Sequence, residues 1–512
     1  MRQLAPEFSP YTWAPPSDEV ARIAGIDQSQ VLRFDQNTPP LPLPSTRPGT
    51  IAAALARVSS YPGGGYRTLR RAVADYAGVE PENVVLGAGA DDLILLCARA
   101  YAGPGDTIAI PPSPTYPLFR IAVQLAGAQV TDCYLPGVAL TFACRPNNPT
   151  GSLDPLPDAR PLVVDEAYYE YCGETALPLI DEGVIVLRTF SKAFALAGAR
   201  IGYAVAARDV ADELNARQAP APVSSLAASL AVAALAEPPD VAPVIAERER
   251  LASALRALGL DPPPSYANFV HVPVDDGLEL GDALLRRGIV VRAYAEAIRV
   301  SVRDEADDDL FIETIARILD KPAPVAPAGA RRARTLRATA ETRIAVRLAL
   351  DGASRVHVDT GAGLYDHFLE QLAFHAGFDL ILEGAGDLET GDHHTAEDAA
   401  LALGRALDDA LGDRRGIARY GDAVVPMDDA LARAAVDLGG RAGAELDLER
   451  DPGMAGHMLA SLAQAARACI HVEATGRDPH HVAEAAFKAV GRALRVAVRT
   501  ESAGLPSTKG VL

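Results

Sequence analysis

Lysine is scarce in this chain: Lys192, Lys321, Lys488 and Lys509 are its only four, against 44 arginines. A position that keeps lysine under that bias calls for an amine rather than merely a positive charge. Cysteine is also sparse. Cys97, Cys133, Cys144, Cys172 and Cys469 are scattered, odd in number and without CxxC spacing, which excludes a disulfide framework and a zinc knuckle and leaves buried thiols. Long apolar runs are missing as well. The longest small-apolar stretch, LAASLAVAALA from Leu226, falls well short of the ~20 residues that span a bilayer. The start, MRQLAPEFSP, has no apolar leader core, so a cytoplasmic enzyme is expected. Low-complexity tracts are absent too, and the 49% hydrophobic and 22% charged content is that of a globular chain. A net charge of -19 repels a phosphate backbone, which excludes nucleic acid as the main partner and leaves small anions held in local cationic pockets.

With 512 residues, two or more domains are expected. Around DKPAPVAPAGARRAR proline, alanine and glycine displace the patterned segments, so residues 321–334 read as a linker between units at 1–320 and 335–512. Before it, NVVLGAG, TIAIPPS, PLVVDEA and GVIVLRTF alternate with helical stretches such as TLRRAVADYAG, the pattern of an α/β domain with a mostly parallel sheet. After it, TRIAVRLAL and FDLILEG alternate as half-buried strands and HTAEDAALALGRALDDAL reads as an amphipathic helix, so the second unit is α+β.

Nine of the ten histidines lie after residue 331, and they recur in a pattern. HFLEQLA at His367 and HMLASLA at His457 share one spacing, and each is followed by a His-His-x-x-Glu, at His393 and at His480. An internal duplication that keeps the same polar residues in both copies is poorly explained by core packing, whereas a single HHxxE could be an ordinary solvated helix face. Successive helical residues are about 100° apart, so His393 and Glu397 can face one ion while His394 cannot; the same holds for His480, Glu484 and His481. Each motif therefore feeds two sites. The expected partition gives each site three imidazoles and one carboxylate, including a histidine of the opposite motif, with His367 and His457 completing the two sets. Such nitrogen and oxygen donors suit Mn, Fe, Co, Ni or Zn better than Mg or Ca.

TGAGLYDHFLEQLAFHAGFDL, GDHHTAEDAALALGRAL, GDRRGIARYG, PMDDALA, GRDPHHVAEAAFKA and LPSTKGVL together resemble the imidazoleglycerol-phosphate dehydratases of histidine biosynthesis. The resemblance implies a site with two Mn²⁺ ions held by His367, His393, His394, Glu397, His457, His480, His481 and Glu484. It also implies phosphate contacts from Arg419, Arg441, Lys488, Ser507 and Lys509, with Gln371 and Glu341 near the substrate, and 24-subunit shells with metals at subunit contacts. Glu341, Glu397 and Glu484 are the carboxylates expected to take part in the chemistry, Glu341 by assisting proton transfer. A ring held between two cations can release its electrons to expel the side-chain hydroxyl. His375 and His471 are expected to be structural, and His357 to be an exposed strand residue.

In the first unit TFSKAFALAGARIGY contains Lys192. A Schiff-base residue must be a primary amine, which arginine cannot replace. With CRPNNPTG, VVDEAYYEY, VLGAGADD and QNTPPLPLP, the stretch resembles the fold-type I pyridoxal-phosphate aminotransferases, histidinol-phosphate aminotransferase most closely. The resemblance implies a large domain plus a small one and a set of cofactor residues. Lys192 is the Schiff-base lysine, Asp165 pairs with the pyridine nitrogen, Asn148 and Tyr168 hold the ring hydroxyl oxygen, and Tyr116 stacks on the ring. Ala90, Asp91, Ser191 and Arg200 cradle the phosphate, Tyr61 reaches a neighbouring subunit's cofactor in a dimer, and Arg299 binds the substrate α-carboxylate. The aminotransferases commonly have glycine where Arg303 stands, and the dehydratases often have an acidic residue where Gly456 precedes His457.

The dehydratase product, imidazole acetol phosphate, is the ketone that such an aminotransferase converts to histidinol phosphate with glutamate. A bifunctional histidine-biosynthesis enzyme, acting on small phosphorylated imidazoles and glutamate or 2-oxoglutarate with no membrane partner, is therefore expected. The competing readings are an aminotransferase or decarboxylase of other specificity, a pyridoxal-phosphate module without catalysis, and, for the second unit, a metal-storing oligomer without turnover.

Overall fold

The structure is a computed structural model that describes residues 8–26, 28–39, 48–324, 331–352, 354–501 and 504. The chain forms two compact units, Met1–Pro324 and Val325–Leu512. The expected linker is shorter at its far end, because residues 332–334 already belong to the strand Arg332–Ala338, whose backbone pairs with Thr342–Ala349.

In the first unit seven strands form one sheet, in the order Val84–Gly87, Gly202–Val205, Val184–Thr189, Leu162–Asp165, Leu140–Cys144, Thr107–Ala109, Gln129–Thr131. Only Gly202–Val205 runs against its neighbours. The central strands are buried on both faces, which is why they read as continuous apolar runs without alternation. A parallel sheet brings the carboxyl ends of its strands to one edge, so Gly89–Ala90, Asn147–Asn148, Asp165 and Ser191–Lys192 emerge together.

Beside that sheet lies a small antiparallel one of Arg292–Tyr294, Ala297–Ser301 and Phe269–Pro273, packed on the helices Ala242–Ala257 and Glu305–Ile318. Arg303 has a structural use here. Its Nε donates to Asp307 at 2.8 Å and its guanidinium lies over the Phe34 ring. Behind Asp165, Glu166 and Arg188 form an ion pair at 3.0 Å with both side chains 2% exposed, which ties two central strands together.

The second unit repeats one plan twice, each copy a hairpin, a strand, a helix, a strand and a helix. The four-stranded sheets have matching orders: Arg332–Ala338, Thr342–Ala349, Asp379–Gly386, Val356–Asp359 in one, and Tyr420–Met427, Ala430–Asp437, Cys469–Thr475, Gly443–Leu448 in the other. The helices pack crosswise between the copies. His393–Leu411 of the first copy lies against Ala455–Ala465 of the second, and Pro479–Ala497 of the second against Gly363–Ala376 of the first.

A glycine makes each crossing close. Gly404 and Gly491 each lie eleven positions after the first histidine of their motif, about three helical turns, and so on the same stripe as that histidine. A Cβ on Gly404 would lie 2.6 Å from the Leu462 carbonyl oxygen, and one on Gly491 2.4 Å from that of Leu372. Leu372 and Leu462 each follow their own histidine, His367 and His457, by five residues.

Gly491→Ala is expected to destabilise the second unit by about 1–3 kcal/mol, the usual cost of overpacking. Gly363→Ala, where an added Cβ meets no atom within 4 Å, is the control and is expected to cost nothing. Denaturant melts of the full chain followed by a reporter in the second unit would check both; equal midpoints for the two variants would show that the helices do not approach so closely.

Candidate active sites

The crosswise packing assembles two clusters of metal-binding donors. In one, Glu397 lies 3.5 Å from His393 Nε2 and 3.4 Å from His457 Nε2; in the other, Glu484 lies 3.4 Å from His480 Nε2 and 3.6 Å from His367 Nε2. Within each cluster the three donor atoms lie within 4.8 Å of one another. His367 stacks on His480 at 5.8 Å with planes 9° apart, and His393 lies 5.3 Å from His457 with planes tilted by 34°. Two neutral imidazoles and a carboxylate converging on one point suit a divalent transition metal, so the residues present fit such an ion.

Within one chain neither cluster takes a third imidazole from the opposite motif. His394 and His481 point away, as the helical angle requires, and are held by carboxylates instead. His394 Nδ1 lies 3.2 Å from Asp387 and 3.8 Å from Glu341, and His481 Nδ1 lies 2.6 Å from Asp429. Hydrogen bonds to Asp387 and Asp429 raise the pKa of His394 and His481 above the ordinary imidazole value. A carboxylate on Nδ1 orients the ring; His481 Nε2 lies 3.6 Å from Asp428.

His457 joins its cluster although Gly456 precedes it. Asp451 accepts from the backbone amides of Gly453, Ala455 and Gly456 at 2.8–3.2 Å and so caps the start of the helix that carries it. Glu484 is 9% exposed; burial works to raise its pKa, but the hydrogen bond and charge of Lys488, with His367 and His480, hold it below the usual carboxylate value.

The substrate residues expected by resemblance are placed as follows. Gln371 sits one turn after His367, and Glu341 is a half-exposed carboxylate in the turn of the first copy's hairpin. Arg419 is chelated by Asp437 at 2.7 and 3.0 Å, and Arg441 is exposed in the loop that follows that strand. Ser507 and Lys509 lie outside the described residues. Of the other histidines, His471 is exposed on the outer face of its sheet, and His357 and His375 are half-buried.

The first unit holds a second site at the sheet's carboxyl edge. Lys192 Nζ donates to the Gln36 carbonyl at 3.1 Å and lies 5.7 Å from the Tyr168 ring centre. Burial and the nearby Arg299 lower its pKa to about 8. Asp165, 4% exposed, accepts one hydrogen bond, from the Ala167 amide at 3.0 Å, and burial raises its pKa to about 7.

Asp91 gathers the neighbouring groups. It accepts from Tyr116 at 3.0 Å and pairs with Arg200 at 2.9 Å, and Arg200 also reaches Ser191 at 3.5 Å. Gly89 makes room for this cradle, since a Cβ there would lie 2.8 Å from Arg200 Nη2. Arg299 is 6% exposed and donates to Asn148 at 2.6 Å and to the Asp35 carbonyl, while its Nε is buried without an acceptor. A buried carboxylate short of a cationic partner, a nearby amine and a polar cradle at a helix start fit pyridoxal phosphate. Tyr61 is 90% exposed.

The family model described as "Imidazoleglycerol-phosphate dehydratase" matches residues 360–494, and that described as "Aminotransferase class I and II" matches residues 29–315, more than half of the chain. Imidazoleglycerol-phosphate dehydratases from Acidothermus cellulolyticus and Methanothermobacter thermautotrophicus are 48% and 50% identical over 197 and 190 residues, which is 36% of this chain and 96% and 98% of theirs. The chain belongs to both families, one in each unit. Histidinol-phosphate aminotransferase from Sinorhizobium meliloti, solved with pyridoxal-5'-phosphate, is 26% identical with TM-score 0.54, covering 62% of this chain and 98% of that one. An aspartate aminotransferase from Thermus thermophilus, 22% identical with TM-score 0.53, covers 62% of this chain and all of its own and supports the same fold.

The dehydratase unit shows two orienting carboxylates that sequence reasoning missed, Asp387 and Asp429; the second lies in the PMDDALA stretch, where its type was visible but its partner was not. In the aminotransferase unit the missed residue is Asn37, 1% exposed, whose Nδ2 donates to Tyr168 at 2.9 Å and so fixes the phenol.

Because only the neutral amine attacks an aldehyde, capture of pyridoxal phosphate by the cofactor-free protein should accelerate as pH rises through about 8, not 10.5. Absorbance stopped-flow would follow it, and mass spectrometry after borohydride reduction would find the cofactor on Lys192. Lys192→Arg should abolish the covalent product; a rate that climbs only above pH 10 would contradict the half-buried, cation-flanked amine.

Proposed function

We propose that this chain carries out two consecutive steps of histidine biosynthesis. The dehydratase unit converts imidazoleglycerol phosphate to imidazole acetol phosphate, and the aminotransferase unit converts that ketone to histidinol phosphate with glutamate as donor. The observation that carries the reading is the pairing in one chain of two crosswise His-Glu clusters with a lysine-aspartate pocket on an aminotransferase sheet. Folds alone do not choose the amino acceptor, because aspartate aminotransferases share this one. The fused dehydratase favours its own product.

Mn²⁺ is the proposed ion at each cluster, held by His393, Glu397 and His457 and by His367, His480 and Glu484. It would supply Lewis acidity toward the imidazole ring. His394 and His481, left outside the clusters of their own chain and oriented by Asp387 and Asp429, would complete sites on neighbouring copies in a shell of the 24-subunit kind. Glu341, beside His394, would take a proton from the glycerol carbon, and Arg419, Arg441, Lys488, Ser507 and Lys509 would bind the phosphate.

Pyridoxal phosphate would act as an electron sink when bound. Asp165 would hold the proton on the pyridine nitrogen, Asn148 and Tyr168 would orient the ring hydroxyl oxygen, and Tyr116 would cover one ring face. Lys192 Nζ would carry a proton to and from the substrate α-carbon, and Arg299 would exchange its Asn148 contact for the α-carboxylate. Exposed Tyr61 suits a dimer in which it reaches the other copy's cofactor phosphate. No helix among the described residues is long and apolar enough to cross a membrane, and the cysteines are free, in keeping with a cytoplasmic setting.

The full chain, loaded with Mn²⁺ and pyridoxal phosphate and given imidazoleglycerol phosphate and glutamate, is expected to form histidinol phosphate. Lys192→Ala should stop the sequence at the ketone, and Glu397→Gln should prevent the ketone from forming. Ketone accumulating in the unsubstituted chain, with glutamate present, would overturn the acceptor assignment of the aminotransferase unit.

A further inference from the structure

The two donor clusters share a plan but not a charge environment. Both oxygens of Glu397 face imidazoles, Oε1 toward His457 and Oε2 toward His393, and among the described residues no ammonium or guanidinium pairs with it. Glu484 differs. Its Oε2 faces His480, but Oε1, the oxygen 3.6 Å from His367, also accepts from Lys488 Nζ at 2.8 Å. The cause is one position in the duplicated motif: four residues after the glutamate the first copy has Leu401 and the second has Lys488.

The side chains of Lys488 and Glu484 are 16% and 9% exposed, so water screens the pair poorly. A divalent cation arriving at Glu484 must displace the ammonium from one carboxylate oxygen or share that oxygen with it. Displacement is feasible because Lys488 has a flexible stem, and its other partner is the weakly accepting Met427 sulfur at 3.3 Å.

We propose that Lys488 makes the two cation sites unequal and couples the second to the substrate's phosphate. The Glu397 site fills first, and the Glu484 site fills as Lys488 leaves Oε1 for an incoming phosphoryl group. The inequality rests on the geometry alone; the coupling rests also on the dehydratase reading, which supplies the phosphate monoester. By linkage the effect is reciprocal, so the second cation tightens phosphate binding by the same factor.

The test is titration of the metal-free full chain with Mn²⁺, reading free ion by its electron paramagnetic resonance, with millimolar inorganic phosphate or chloride at equal ionic strength. In chloride two classes of site are expected, separated by roughly tenfold, and phosphate should draw them together. Glu484→Gln should remove the weak class and Glu397→Gln the tight one. Lys488→Met should tighten the weak class in chloride and abolish its response to phosphate.

Leu401→Lys is a second variant that does not disturb the Glu484 cluster, and it should weaken the tight class. A single class of sites in the unsubstituted chain would overturn the proposal, as would loss of the tight class in Glu484→Gln or a phosphate response that survives in Lys488→Met. Unequal sites that Lys488→Met equalises, with no phosphate response in the unsubstituted chain, would overturn the coupling alone. Turnover of imidazoleglycerol phosphate would then decide the dehydratase reading separately.

Discussion

The backbone contact between helices at Gly404 and Gly491 is the constraint on which the second unit depends. Where a glycine meets a carbonyl oxygen, the helices come close enough for a histidine on one to reach across to a glutamate on the other, on the same stripe three turns away. A larger residue there would separate the axes and leave His367 and His457 out of reach of Glu484 and Glu397. Close packing and donor geometry are thus consequences of one contact, made twice. The crossing also joins the two copies into one core, since each donor cluster draws a histidine from one copy and a His-x-x-x-Glu pair from the other.

Around those clusters, carboxylates divide the work by position. Glu397 and Glu484 lie between imidazoles and converge with them on an ion site, while Asp387 and Asp429 hold the outward histidines by Nδ1. Two adjacent histidines on a helix can therefore serve two different places without competing, because about 100° of rotation separates them and a separate acid orients each. Asp451 contributes indirectly by capping the helix that carries His457.

The first unit reaches a different chemistry through sheet geometry. Parallel strands deliver Asp165, Asn148, Lys192 and the Gly89–Ala90 helix start to one edge, and each arrives on a short segment anchored by a strand buried on both faces. The low dielectric behind that edge raises the pKa of Asp165 and lowers that of Lys192, each toward its neutral form. A pocket built this way is tuned for a cofactor carrying an aldehyde and a basic ring nitrogen.

Much of this was legible in the chain itself. The retained lysine among arginines, the duplicated His-His-x-x-Glu and the apolar runs each have a local physical meaning, and helix periodicity alone places His393 with Glu397 and His480 with Glu484. Which partner histidine joins which pair was not legible. Both copies carry the same glycine at the same offset and the same leucine after the same histidine, so pairing within a copy and pairing between copies are equally compatible with the pattern. Only the packing of helices distant in sequence decides it. The same limit applies to Asn37, Asp387 and Asp429, whose residue types invite hydrogen bonding but whose partners are chosen by the fold. The difference between Leu401 and Lys488 was visible in the sequence from the start, yet only the 2.8 Å contact with Glu484 gives it consequence.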